Sequence, residues 1–80
     1  MQTTDIDKRV REILGLVFKV DVPATGSFTR NDEPNWDSLK HVEMIFVLED
    51  EFSVQFEEVD FPNLDSVAHI VTLLEERIAA

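Results

Sequence analysis

Eighty residues allow one small domain with a modest core, because a chain of this size buries only about 60% of its unfolded surface and has little room for a deep catalytic cleft. An apolar share of 44% with 30% charged residues is that of a soluble globular protein, and the absence of cysteine excludes disulfides, thiolate zinc sites and cysteine nucleophiles. The net charge of −10, from 17 acidic and 7 basic residues, disfavours nucleic acid and anionic lipid as partners and favours basic proteins.

The charge is unevenly placed. From His41 to Glu76 there is no lysine or arginine, and that stretch holds ten of the acids. The remaining residues sum to zero, so the net charge lies in one half of the chain. The opening residues lack a secretory apolar region, and no apolar run is long enough for a bilayer. The expectation is a cytoplasmic protein without membrane contact.

In chain order, residues 4–19 are predicted to form a helix, with Ile6, Val10, Ile13, Leu14 and Val17 on one face. Thr3 or Thr4 is placed to cap it, with Asp5 and Asp7 in its first turn. Residues 20–37 hold Gly26, Pro23 and Pro34, show no period, and read as a long loop. Ser38 to Phe52 forms a second helix without an internal breaker. Ser53 to Asp60 is a connector, followed by at most a short helical turn over Phe61–Leu64. Asp65 caps a last helix to about Ile78, with Val67, Ile70, Val71, Leu74 and Ile78 on one face. The expected fold is all-α: a small four-helix bundle of three main helices and one short one, with a long loop between the first and second.

The second helix carries more apolar surface than one core contact needs. At about 100° per residue, Met44, Ile45, Leu48 and Phe52 fall in one arc of roughly 240–340°, which serves as the core face. Leu39, Val42 and Phe46 fall in a second arc of roughly 40–100°, with Glu49 within it and Glu43 and Asp50 beside it. An exposed apolar stripe edged by carboxylates has the make-up of a recognition surface. The alternative is that the long loop folds back and covers it.

Asp37-Ser38 opens this helix. Alone the dipeptide is an ordinary helix start, and Asp65-Ser66 opens the last helix in the same way. What separates them is context: Asp37-Ser38 follows the long loop and leads into the doubly apolar helix. A helix N-terminus also suits a phosphate ester, through free backbone N–H groups and the helix dipole.

Trp36-Asp37-Ser38-Leu39, followed by Val42-Glu43, Leu48-Glu49 and Glu51-Phe52, resembles the acyl carrier protein family, in which D-S-L opens a helix that closes in L-E-x-E-F. Leu64-Asp65-Ser66-Val67 and Leu73-Leu74 resemble that family's closing helix. The resemblance covers nearly the whole chain and is specific over Asp37–Phe52. It implies a four-helix bundle that is not itself an enzyme. It also implies a 4′-phosphopantetheine arm on Ser38, added from coenzyme A by a phosphopantetheinyl transferase, which makes the chain a phosphoprotein. On that arm acyl groups are held as thioesters for acyl-loading, condensing or acyl-transfer enzymes of fatty acid, polyketide or related biosynthesis. Matched residue by residue, Asp37 and Leu39 flank the attachment site. Val42 and Phe46 give apolar contacts, and Glu43, Glu49 and Asp50 give acidic contacts to basic docking surfaces. Lys40 departs from the family pattern and weakens the acidic patch near the arm. Asn35-Trp36 before the D-S leans toward a free-standing carrier, or one in a small biosynthetic cluster, over an excised module. A monomer is expected. Two other readings stay open: an unmodified acidic helical adaptor for a basic partner, and a peptidyl (aminoacyl) carrier.

Other constellations are weaker. Asp37, Ser38 and His41 suggest a hydrolase triad only superficially, because Asp37 adjoins the serine and no oxyanion hole is indicated. His41 reads as a residue at the core edge and His69 as structural. The acidic clusters lack the glycine-centred spacing of a calcium loop, so no metal site is named. Trp36 reads as a loop plug over the core, with Phe18, Phe28, Phe56 and Phe61 as core or loop anchors.

Overall fold

A computed structural model describes residues 3–79, which fold into α1 (Thr3–Phe18), α2 (Ser38–Phe52) and α3 (Val67–Ala79). A short 3-10 helix, Glu58–Asn63, joins α2 to α3, and one 3-10 turn, Arg30–Asp32, lies in the long α1–α2 segment. This is the expected small four-helix bundle, with α1 packed against both α2 and α3. The described residues contain no strand, only an isolated antiparallel bridge between Thr29 and Ser66. No helix among them is long and apolar enough to cross a membrane.

α1 buries Ile6, Val10, Ile13 and Leu14 as its spacing requires; Phe18 completes the stripe, and Val17 is only half-buried. Thr3 and Thr4 lie inside the helix, so neither takes the expected capping position. Asp7 is held by Arg11 at 2.7 Å. The helix closes with Lys19 in the left-handed region (φ 58°) and a bond from the Val20 N–H to the Gly15 carbonyl at 3.2 Å. A Cβ at Gly15 would sit 3.1 Å from the Val20 carbonyl oxygen, so any side chain there requires the turn to give by a few tenths of an ångström.

The segment between α1 and α2 is irregular but well anchored. The Arg11 guanidinium donates to the carbonyls of Pro23 and Gly26, both at 2.7 Å. Phe28 and Trp36 enter the core, where the Trp36 ring lies 4.8 Å from Phe18 and 6.1 Å from Phe28. Backbone bonds from Val67 to the Phe28 carbonyl (3.0 Å) and from Arg30 to the Asp65 carbonyl (2.8 Å) fasten the segment to the start of α3.

α2 has the predicted limits. Met44, Ile45 and Leu48 are fully buried, while Phe52 is half-buried. Ser53 adopts the left-handed conformation (φ 53°), and the Val54 N–H reaches the Glu49 carbonyl, so α1 and α2 end in the same motif without glycine at the turn residue.

Two boundary expectations are corrected. The short helix starts at Glu58, not Phe61, because the Glu57 N–H donates to the Asp60 carboxylate (2.9 Å) while the Asp60 N–H donates to the Glu57 carbonyl, closing the turn early. Asp60 is also tied to Arg77 of α3. The α3 cap is Ser66 and not Asp65: the buried Ser66 hydroxyl accepts from the His69 N–H at 3.1 Å, and the Asp65 carboxylate pairs with His69 Nδ1 at 2.8 Å. Val67, Ile70, Val71 and Leu74 are buried as expected, but Ile78 is 40% exposed, since the last turn of α3 runs past the core.

Candidate functional site

Asp37 begins the site as the cap of α2. Its backbone is extended (φ −90°, ψ −178°), and its carboxylate accepts the Lys40 N–H at 2.8 Å. Ser38 is thereby released from capping. It is exposed, and the contact its hydroxyl makes is with Arg30 Nη2, at 3.4 Å. Ser66, the other serine at a helix start, is buried and spends its hydroxyl on capping. The difference comes from packing, because the two dipeptides are chemically alike.

Behind Ser38 lies a buried polar chain. Trp36 is 3% exposed and donates Nε1–H to His41 Nδ1 at 2.9 Å; His41, 6% exposed, meets the Phe61 carbonyl through Nε2 at 2.8 Å. Trp36 can only donate, so Nδ1 is the acceptor and Nε2 carries the proton. This locks together the loop end before Ser38, the first turn of α2 and the short helix. It also excludes the hydrolase triad, since both nitrogens of His41 are engaged away from Ser38 and the Asp37 carboxylate serves the backbone. His69, expected to be structural, is exposed and pairs with Asp65.

The long segment packs on α1 and the core and leaves the outer face of α2 uncovered. Leu39 is 69%, Phe46 59% and Val47 41% exposed. Glu43 and Asp50 lie exposed on the same side. Two of the predicted docking residues sit differently from the expectation. Val42 is half-buried, and Glu49 is half-buried with its carboxylate accepting the Phe56 N–H at 2.8 Å, so Glu49 braces the α2–short helix connector. The open face is therefore rotated toward Val47, which the two-arc reading missed because at about 180° it lies among the charged residues, between Glu43 and Lys40. Val59, on the short helix, is also well exposed.

Charges on this face are partly compensated. Lys40 lies 3.5 Å from Glu43. Arg9 of α1 bonds Glu51 at 2.9 Å, and this hydrogen bond holds the Glu51 carboxyl below the ordinary value and raises Arg9. Asp50 is in none of the ion pairs among the described residues. No group of three or more potential metal ligands occurs among those residues. The arrangement offers a serine hydroxyl accessible to a large enzyme, next to a cation and at the head of an apolar–acidic face. No protein-family model matches the chain, and no solved structure matches it.

Proposed function

We propose that this chain is an acyl carrier protein, with a 4′-phosphopantetheine arm from coenzyme A on Ser38 and α2 as the face presented to biosynthetic enzymes with basic docking surfaces. The observation that carries this reading is the exposed Ser38 at the first position of α2, followed on one open side by Leu39, Glu43, Phe46 and Asp50. The residues present fit the group: the Ser38 oxygen is accessible for a phosphoester, and Arg30, a cation, is beside it. When bound, the arm supplies a terminal thiol that holds the acyl group as a thioester. Asp37 caps the helix so that Ser38 remains available, and the Trp36–His41–Phe61 chain keeps the start of α2 rigid under it. Leu39 and Phe46 give an enzyme apolar anchors, while the acidic side chains steer its approach. Tethering replaces an encounter between two diffusing species by a local search.

Intact mass after incubation with a phosphopantetheinyl transferase and coenzyme A tests the reading. The wild type gains one phosphopantetheine group and Ser38→Ala gains none. A wild type that gains no mass, yet binds basic proteins through α2, is an unmodified acidic adaptor instead.

A further inference from the structure

We propose that Arg30 is the anion contact for the phosphate carried on Ser38, an inference that rests on the carrier reading. Arg30 lies in the irregular segment, yet its guanidinium reaches the Ser38 hydroxyl at 3.4 Å through Nη2. Its Nε donates to the Trp36 carbonyl at 3.1 Å, and its backbone N–H donates to the Asp65 carbonyl at 2.8 Å. The backbone of Arg30 is thus fixed by Asp65, just ahead of α3, and its side chain by the residue two before Ser38.

No carboxylate accounts for this placement. Arg9, Arg11, Lys40 and Arg77 each pair with an acid, whereas Arg30 takes part in none of the ion pairs among the described residues. The acids near it in sequence or space are engaged elsewhere. Asp32 accepts from Thr29, Glu33 from the Asn35 N–H, Asp37 from the Lys40 N–H, and Asp65 from His69. In a chain of net charge −10, a half-buried guanidinium is held against a neutral hydroxyl, at a distance long for an N–H···O bond. A phosphodiester on that oxygen places anionic oxygens two bonds beyond it. A guanidinium binds such oxygens through short, charge-assisted bonds that a hydroxyl cannot offer. Arg30 then acts as a positioning residue, setting the direction in which the arm leaves the protein.

The test compares apo and modified forms of each variant, so that any cost of the substitution to folding cancels. Modification should change Tm more favourably in the wild type than in Arg30→Gln, by about 2–5 °C at low salt, with the difference shrinking at high salt. Lys40→Gln, which removes an equal charge two residues from Ser38, should behave as the wild type. In ¹⁵N-resolved NMR spectra of the wild type, the Arg30 Nε–H signal should move on modification while those of Arg9, Arg11 and Arg77 stay. A stationary Arg30 signal, or equal apo-to-modified changes in the wild type and Arg30→Gln, overturns the inference. If Arg30→Gln fails to fold, the wild-type NMR comparison decides alone. A chain that gains no mass with the transferase ends the carrier reading and this inference together; a chain that gains mass with an unmoved Arg30 ends only the inference.

Discussion

Phe46 and Leu48 stand two residues apart on α2 and should respond to truncation in opposite ways. Leu48 is fully buried in the core, and Phe46 is 59% exposed. Leu48→Ala removes a core side chain and should cost about 2–5 kcal/mol. Total stability for a chain of this length is about 4–12 kcal/mol, so that loss takes a large part of it. For Phe46 the arithmetic is different. Full burial of a phenylalanine removes about 150–250 Å² from water, and about two fifths of that is covered here. At about 25 cal/mol per Å² the ceiling is about 1.5–2.5 kcal/mol. Much of the covered area faces the helix's own backbone and is already partly shielded in the unfolded chain, so the net loss should be about 1 kcal/mol or less. Urea melts of both variants measure the difference. Beside them, a transferase assay should show the KM for Phe46→Ala raised by about 5–10-fold, equivalent to about 1–1.4 kcal/mol of lost docking. If Phe46→Ala melts as early as Leu48→Ala, or if its KM is unchanged, the face drawn on α2 is not a docking surface.

The two helix-opening serines should separate cleanly. Ser38→Ala should leave stability within about 0.5 kcal/mol, since Asp37 makes the cap, whereas Ser66→Ala should lose about 1 kcal/mol and still accept the arm on Ser38. Raising ionic strength to about 0.5 M shortens the Debye length to a few ångströms and should raise the transferase KM; a constant KM would reduce the acidic half to a solubility device. His41→Phe strands the buried Trp36 N–H and leaves the Phe61 carbonyl with the Leu64 N–H as its donor, and should cost about 1–3 kcal/mol, with a change in the emission of the single tryptophan; a melt like the wild type's would contradict the buried chain. The Asp60 carboxyl is held below its ordinary value, first by the Glu57 N–H and then by Arg77. A depressed folded value gives stability that is present above the unfolded value near pH 4 and is lost as pH falls further. The gap in urea midpoint between wild type and Asp60→Asn should therefore be open at pH 7 and narrow below about pH 4; a gap independent of pH would mean that the ionised carboxylate contributes nothing.

Residue spacing alone sets the helices, most of the core and the position of Ser38 at a helix start. The reason is periodicity: Ile6, Val10, Ile13 and Leu14, or Val67, Ile70, Val71 and Leu74, can share one buried face only in a helix. The absence of internal breakers set the limits of α2 equally well. What periodicity could not supply was the arrangement of residues 20–37, whose order comes from partners distant in the chain. Arg11 holds the Pro23 and Gly26 carbonyls, Phe28 and Arg30 bond to the start of α3, and Trp36 closes on His41. The assignment of caps also depended on tertiary structure: Asp65-Ser66 and Asp37-Ser38 have the same composition, yet packing buries Ser66 and leaves Ser38 open. Glu49 followed the same logic, being claimed by the Phe56 N–H because the chain turns sharply after α2, and Val47 became exposed where a helical wheel placed no stripe. Local spacing decides which side of a helix is apolar; which side remains in water is decided by whatever else the chain lays against it.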